Sequence, residues 1–313
     1  MTLSDLINQR INPKDYGRVA VLMGGQHSER EVSLMSGRAV LGALKDAGID
    51  AYGIDVDDSL CRQLLDNKPD RVFIAMHGAF GEDGTLQGLL DSLKIPYTAS
   101  DVLASALAMD KVRTKLLWKG LGLPTLDYVV VDDSTTFDSV VKSIPLPLVV
   151  KPSSEGSSLG VAKVENEKEF IRALENARQY QSKVMIEHWL DGIEVTVGIV
   201  ADTALPVIRI ATPVGFYDYE AKYFSEETEF NIPSGLTDAK EAELKQLALQ
   251  AYQSLGCRHW GRVDVIMDTN ENFWLLEVNT IPGLTSHSLV PQAAAFMGID
   301  FQNLILNILK QTF

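Results

Sequence analysis

The chain has 313 residues, more than one hydrophobic core usually organises, so two or three lobes are expected. Its 46% apolar and 22% charged residues are typical of a globular protein. The net charge of −14, with no basic stripe, argues against a nucleic-acid binder, and an anionic ligand would need a local cluster of lysines and arginines. No apolar run reaches the roughly 18 residues of a membrane span, and the first residues lack the apolar segment of a signal peptide. Because the two cysteines are also far apart, without disulfide or zinc spacing, we expect a cytoplasmic protein that does not enter the membrane.

Strand and helix patterns alternate over the first hundred residues. Apolar runs predict strands at 18–23, 51–56 and 71–76, a helix at 31–47 and a short helix around 60–65. This alternation implies parallel strands with helical crossovers, and ligands gather at the carboxyl ends of such strands. Gly24, Gly25, His77 and Gly78 follow two of the predicted strands and therefore lie at that edge.

The pattern changes in the middle of the chain. A helix is predicted at 105–119, and strands at 148–151 and 159–164 flank a loop rich in serine and glycine at 152–158. A helix at 167–180 and a strand at 183–189 complete a small lobe.

The last third begins near Glu194. Strands are predicted at 195–200 and 205–211, and a long irregular segment at 212–235, which is usually a sign of function or mobility. A helix at 238–255, a hairpin of 262–268 with 273–278, a loop at 279–289 and two helices follow.

The hairpin carries the strongest chemical signal. Arg262 and Asp264 share one face of its first strand, and Glu277 and Asn279 share one face of the second. Oxygen ligands of this kind suit Mg²⁺, which also takes water and phosphate oxygens. The alternative is an ion-pair network of arginine and carboxylates with no metal, because unpaired buried carboxylates are costly.

Three further segments suggest a site, and each has a plainer alternative. Lys151 with the following serines and glycines could bind phosphates, although the segment is not a Walker A loop and could be an ordinary hairpin. Glu29 could receive an ammonium group, whereas Ser28 and Glu31 beside it could simply form a capping box. The aromatic and charged residues of 217–223 suit a lid that excludes water, or a surface loop.

Taken in order, the motifs resemble the D-alanine–D-alanine ligases of the ATP-grasp superfamily from about Arg18 to the C-terminus. The resemblance rests on GGQHSEREVSLMSG, MHGAFGEDGTLQG, ASALAMDK, VVKPSSEGSSLG, YDYEAKY, GRVDV and LLEVNTIPGLTSHSLVP. It implies an α/β ATP-grasp fold with an N-terminal parallel-sheet lobe at 1–100, a central lobe at 101–193 and a C-terminal lobe at 194–313, and ATP between the last two. It also implies ligation of two D-alanine molecules through a D-alanyl phosphate, with release of ADP and phosphate.

The resemblance assigns nucleotide contacts residue by residue. It places Lys111 and Lys151 on the α- and β-phosphates, Lys222 on the γ-phosphate and Glu194 on the ribose. Adenine is expected at Glu187, near Trp189 and Leu190. A further ATP contact is expected from Ser157.

The same resemblance assigns the metal and the substrate. Asp264, Glu277 and Asn279 are expected to hold two Mg²⁺ or Mn²⁺ ions, and Arg262 to stabilise the transferring phosphoryl group and the oxyanion. The substrate residues are expected in two groups. Glu29 with nearby His77 meets the first alanine, and Ser288 with the backbone of Leu289 meets the second. Gly283 is a further expected substrate contact.

The resemblance also implies how the site closes and which product it favours. Glu29, Ser157 and Tyr223 are expected to form a hydrogen-bonded set, and Tyr223 favours a dipeptide over D-alanyl-D-lactate. The sequence departs from relatives at His188, where lysine is frequent, and at Ile281, where serine is common. An ester-forming ligase, a silent nucleotide sensor and a purely structural α/β protein are the competing interpretations, and the family suggests a homodimer.

Overall fold

The structure is a computed structural model that describes residues 3–9, 11–156, 158–180, 182–211 and 229–313. In these ranges it contains three sheets, of three, five and four strands. No helix among them is long and apolar enough to cross a lipid bilayer. Cys61 is exposed and Cys257 is buried, and both are free thiols.

The first sheet is parallel, as predicted. Its strands β1 (Val19–Gly24), β2 (Ala51–Val56) and β3 (Arg71–Ile74) lie in the order β2-β1-β3. The central strand β1 is buried along its whole length, which explains its unbroken apolar sequence. Helices connect the strands and follow them, so the loops after β1 and β3 emerge at the same edge.

The helices of this region are α1 (Leu3–Asn8), α2 (Arg30–Asp46), α3 (Leu60–Asn67) and α4 (Thr85–Leu93), with a 3-10 turn at Pro13–Tyr16. The proposed alternative of a capping box at the start of α2 is wrong. Glu29 occupies the N-cap position without a side-chain capping bond, and the Ser28 hydroxyl lies 3.3 Å from Nδ1 of His27.

The middle of the chain forms a four-stranded antiparallel sheet in the order β4-β7-β5-β6. Its strands are β4 (Tyr128–Val130), β5 (Leu148–Pro152), β6 (Ala162–Val164) and β7 (Val184–His188). The helices beside it are α5 (Val102–Met109), α6 (Lys111–Gly120), α7 (Phe137–Val141) and α8 (Glu167–Ala177).

Two predicted boundaries are wrong here. The continuous helix at 105–119 is broken at Asp110, whose carboxylate accepts hydrogen bonds from the backbone amides of Val112 and Arg113 and so starts a new helix at Lys111. The strand predicted at 159–164 begins only at Ala162, because the preceding residues form a turn.

The third sheet has five antiparallel strands in the order β10-β9-β8-β11-β12. They are β8 (Gly192–Val200), β9 (Thr203–Ala211), β10 (Glu229–Asn231), β11 (Trp260–Asp268) and β12 (Phe273–Asn279). The short strand β10 lies within the segment expected to be irregular. Helices α9 (Asp238–Ser254), α10 (Leu289–Phe296) and α11 (Phe301–Lys310) complete the chain.

Three apolar cores hold these layers together. The largest lies under the parallel sheet and also takes in buried side chains from α10 and α11, so the end of the chain packs on its beginning. The second lies between the five-stranded sheet, α9, α5 and α6, and the third lies under the four-stranded sheet. The helix that begins at Lys111 therefore rests on the C-terminal sheet.

We predict that Trp118→Ala lowers the free energy of unfolding by about 3–5 kcal/mol. Trp118 is fully buried in the second core, and its indole Nε1 donates to the carbonyl of Ala251 at 3.2 Å. Urea denaturation measures the change, with Leu121→Ala as the control because Leu121, just beyond α6, is 60% exposed. Equal losses in the two variants would show that α6 is not anchored as described.

Candidate active site

A cavity of about 520 Å³ lies between the four-stranded and five-stranded sheets. Many of the predicted nucleotide and metal residues line it. These are Lys111, Lys151, Glu187, Trp189, Leu190, Glu194, Asp264 and Glu277. Cationic and anionic side chains thus face one space, in a chain whose overall charge is −14.

Asp264 is the most heavily bonded carboxylate of the site. It is 4% exposed. Arg262 donates to it through Nε and Nη2, both at 2.7 Å, so the guanidinium fork holds both carboxylate oxygens. The hydroxyl of Thr196 donates at 2.6 Å and the amide of Asn279 donates at 2.8 Å. The predicted convergence of Arg262, Asp264 and Asn279 on one face is confirmed.

The register of the hairpin explains this convergence. Asp264 lies opposite Glu277, and Arg262 lies opposite Asn279, on adjacent antiparallel strands. The register changes after Asp264, because Val265 pairs with Leu275 and Leu276 of β12 is passed over, so β12 carries a bulge next to Glu277. Glu277 pairs with Lys111, whose Nζ is 3.0 Å from Oε2 and also donates to the carbonyl of Glu155 at 2.7 Å.

The side chains fit a magnesium ion by their chemistry. Two carboxylates and one amide supply oxygen ligands only, and phosphate oxygens of a nucleotide in the cavity would supply others. The described residues contain no group of three or more His, Cys, Asp or Glu arranged to hold a metal. The acidic face forms ion pairs with Arg262 and Lys111, so metal binding would have to loosen these pairs.

A second charge cluster forms the wall of the cavity. Glu187 is 1% exposed, and its two oxygens lie 2.6 Å from Nζ of Lys115 and 2.5 Å from Nζ of Lys151. Burial alone would raise the pKa of Glu187, but the attraction of the two ammonium groups holds it below its ordinary value. The carboxylate is therefore ionised and bound to both lysines.

The segment after β7 continues this wall. The backbone amide of Trp189 donates to the carbonyl of Pro147 at 2.8 Å, and its indole donates to Asp191 at 3.1 Å. Nδ1 of His188 lies 3.0 Å from the carbonyl oxygen of Pro145. These bonds fix the chain where it passes between the two sheets. Backbone and aromatic groups are thereby presented to the cavity.

Glu29 lies apart from this cavity, at the edge of the parallel sheet. It is 5% exposed. A Cβ atom added to Gly78 would come within 2.8 Å of its carboxylate, and one added to Gly156 would come within 3.0 Å. Glycine is required at Gly78 also because its φ of +72° is left-handed. The first lobe and the loop after Lys151 therefore meet at Glu29.

His77 does not present a free nitrogen to a substrate. Its Nδ1 lies 2.8 Å from the carbonyl of Ile281, so Nδ1 carries the proton. Burial lowers the pKa of His77, which keeps the ring neutral and makes Nε2 an acceptor for the hydroxyl of Ser36 at 3.1 Å. That hydroxyl in turn accepts from the backbone amide of Leu284 at 3.1 Å.

Glu82 also binds the loop that follows β12. Its carboxylate accepts from the amide of Ile281 at 2.9 Å and from the amide of Gly78 at 2.8 Å. Burial, followed by the charge of Glu29, raises the pKa of Glu82 to about 8. The first lobe thus binds the backbone amide of Ile281 through Glu82 and its carbonyl through His77.

The loop so held leads to the residues expected at the second substrate. The hydroxyl of Ser288 accepts from the amide of Thr285 at 3.0 Å, and a Cβ atom on Gly283 would lie 3.0 Å from it. Ser288 is the N-cap residue of α10 and makes no capping bond with its side chain. The first amides of the helix, beginning at Leu289, point toward this end of the site.

Three of the predicted residues, Ser157, Lys222 and Tyr223, lie outside the described residues. Sequence patterns missed four residues that the structure connects to the site, namely Ser36, Glu82, Lys115 and Thr196. Glu82 and Ser36 lie inside quoted motifs, and Lys115 lies one helical turn after Lys111, which was the available signal.

Comparison with known proteins identifies the family. The family models described as D-ala D-ala ligase N-terminus and C-terminus match residues 57–100 and 117–310. The D-alanine--D-alanine ligase of Ectopseudomonas mendocina is 51% identical over 98% of each chain. The D-alanine--D-alanine ligase B of Pseudomonas syringae pv. tomato is 52% identical over 98% of this chain and 96% of its own.

Solved structures agree. The D-alanine--D-alanine ligase of Bacillus anthracis complexed with ATP has a TM-score of 0.83 at 31% identity, covering 94% of this chain and 97% of its own. The VanG D-Ala:D-Ser ligase of Enterococcus faecalis has a TM-score of 0.82 at 28% identity, covering 95% and 99%. The ATP-grasp architecture, the ordered motifs and these relatives agree, and the chain belongs to the D-alanine–D-alanine ligase family.

Proposed function

We propose that this protein joins two D-alanine molecules into D-alanyl-D-alanine at the expense of ATP, for the synthesis of peptidoglycan precursors. One observation carries the proposal. Asp264 lines the nucleotide-sized cavity and binds Arg262, and the loop just after this hairpin is held at Ile281 by His77 and Glu82 of the first lobe, near Glu29. A phosphoryl group at the end of the cavity and an amino acid at Glu29 would therefore meet at the hairpin.

The nucleotide is proposed to bind along the cavity wall. Lys111 and Lys151 hold the α- and β-phosphates, and Lys222 reaches the γ-phosphate. Adenine lies near Glu187, Trp189 and Leu190, and Glu194 binds the ribose. Ser157 adds a contact from its loop.

The first chemical step transfers phosphate. A carboxylate oxygen of the first D-alanine attacks the γ-phosphorus, the bond from that phosphorus to the bridging oxygen breaks, and ADP leaves. Arg262 stabilises charge on the migrating group, because a planar and permanently charged guanidinium can bind two oxygens at once.

The second step forms the amide. The amine of the second D-alanine attacks the acyl carbon, the carbon–oxygen bond to phosphate breaks, and the nitrogen loses a proton. Arg262 stabilises the oxyanion in between, and Gly283 is proposed as a substrate contact. Phosphate is a far better leaving group than oxide, which is why ATP is needed.

Substrate positions follow from the loops that meet around the hairpin. Glu29 binds the ammonium of the first alanine, and Ser288 with the amide of Leu289 binds the carboxylate of the second, at the positive end of a helix. The hydrogen bonds of His77 give it a positioning role on the loop of Ile281. Ser157 and Tyr223 are proposed to join Glu29 when the site closes.

Asp264, Glu277 and Asn279 are proposed to hold two Mg²⁺ or Mn²⁺ ions. When bound, the ions would neutralise phosphate charge that Lys111, Lys151 and Arg262 leave unbalanced. We further propose three lobes at 1–100, 101–193 and 194–313, a homodimer and a cytoplasmic location, all in keeping with the family.

The function is tested with a coupled assay of ADP formation on the purified protein with ATP and Mg²⁺. D-alanine alone is expected to drive turnover, because it fills both substrate positions, whereas L-alanine is not. D-lactate and D-serine are offered as second substrates at neutral pH beside limiting D-alanine. Preference for either would overturn the assignment of the acceptor, and nucleotide binding without D-alanine-stimulated ADP formation would overturn the assignment as a ligase.

We predict that Arg262→Ala lowers kcat by roughly 10²–10³-fold while changing the Kd for ATP far less. The reason is that the guanidinium acts on charge that develops during transfer. Steady-state kinetics and calorimetric titration of ATP measure the two effects, and Arg262→Lys is the matched variant that keeps one positive charge without the fork. An equal loss in kcat and ATP affinity would contradict a role in the transition state.

A further inference from the structure

Lys115 is a fully buried lysine that does not line the nucleotide cavity. It lies one helical turn after Lys111 on α6, and its side chain is 0% exposed. Its three N–H donors have three partners. They are Oε1 of Glu187 at 2.6 Å, the hydroxyl of Thr125 at 2.8 Å and the carbonyl of Leu275 at 3.3 Å.

These partners belong to two different sheets. Glu187 lies on β7 of the four-stranded sheet, and Leu275 lies on β12 of the five-stranded sheet, two residues before Glu277. The hydroxyl of Thr125 accepts from Lys115 and donates to the same Leu275 carbonyl at 3.0 Å, so this hydroxyl has a partner both as acceptor and as donor. Lys115 therefore connects the two sheets that enclose the cavity, although it does not line the cavity itself.

The charge balance of this cluster is unequal. Lys115 and Lys151 are two positive charges, and the Glu187 carboxylate between them is one negative charge, with one oxygen for each ammonium. Only Lys151 and Glu187 face the cavity. The cluster keeps one net positive charge, and Lys151 is the member that can offer it to a ligand.

Removing Lys115 would change that balance. Glu187 is buried and cannot be solvated, so its whole charge would act on Lys151, and the pair facing the cavity would be neutral. Burial lowers the pKa of Lys115 to about 8, although Glu187 opposes this, so the ammonium is still charged at neutral pH.

We propose that Lys115 is a positioning residue of the nucleotide site, which neutralises Glu187 from behind so that Lys151 keeps its charge for the phosphates. The inference rests on the proposed binding of ATP in this cavity. It assigns Glu187 a structural partner that is not in contact with the nucleotide. Lys115 acts only through Glu187 and Lys151.

The proposal is tested with a double-mutant cycle of Lys115→Met, Glu187→Gln and the two together. Binding of ADP with Mg²⁺ is measured by calorimetry, and adenosine, which lacks phosphates, is measured by competition. Lys115→Met is expected to weaken ADP binding roughly tenfold or more, the size of one charged hydrogen bond, and to leave adenosine binding unchanged.

The double variant is the decisive arm. Because the amide introduced by Glu187→Gln carries no charge, Lys151 is released from the pair, although the proposed contact of Glu187 with adenine changes as well. The double variant is therefore compared with Glu187→Gln alone, and its ADP affinity is expected to lie within about threefold of that single variant, because Lys115 then has no carboxylate to neutralise. Lys119→Met is the control, since Lys119 lies one turn further along α6 and pairs with exposed Asp127. If Lys115→Met does not fold, Lys115→Gln removes the same charge and keeps a donor.

Two outcomes would overturn the proposal. Equal loss of ADP and adenosine affinity in Lys115→Met would mean that Lys115 only supports the fold. A tenfold loss of ADP affinity when Lys115→Met is added to Glu187→Gln would mean that Lys115 does not act through Glu187. These results are independent of turnover. A wild-type protein that binds ADP but forms none from ATP and D-alanine would refute the ligase function while the charge cycle still decides the role of Lys115.

Discussion

The need to balance buried charge governs the whole nucleotide cleft. Three of the carboxylates that line it are held in ion pairs with lysine or arginine: Asp264 with Arg262, Glu277 with Lys111, and Glu187 with Lys115 and Lys151. Within these pairs four cations stand against three anions, and Glu155, Asp191, Glu194 and Arg209 add further charges to the lining. On the proposed function, a nucleotide with its metal would replace some of these pairs by others, so that the buried carboxylates keep a partner.

A second constraint joins the cleft to the first lobe. His77 and Glu82 hold both backbone groups of Ile281, and Ser36 reaches Leu284. These bonds hold the backbone of residue 281 and do not depend on its side chain. The loop that follows leads directly to Gly283 and Ser288. The lobe of the parallel sheet therefore positions Glu29 and also the loop that contains Gly283 and Ser288.

Local sequence patterns predicted which helices and strands form. They predicted less well where these elements end and which distant side chains meet in the fold. The apolar run of β1 and the alternation of Arg262 with Asp264 were sufficient to predict a buried strand and a polar face. The break at Asp110 was missed, because its capping bond outweighs a helical pattern that continues on both sides. No local pattern could show that Glu187 lies between two lysines, since Lys115 and Lys151 come from a helix and a strand far apart in sequence. Likewise, the role of His77 became clear only when Ile281, 204 residues later, was seen at its ring.

We propose that the acidic face of the hairpin exchanges its ion pairs for a metal–nucleotide complex. Anomalous scattering from Mn²⁺ in crystals grown with ADP tests it most directly. The predicted result is manganese density between the nucleotide phosphates and the side chains of Asp264, Glu277 and Asn279. Manganese bound elsewhere, with Asp264 still enclosed by Arg262 and Thr196 and Glu277 still paired with Lys111, would contradict it.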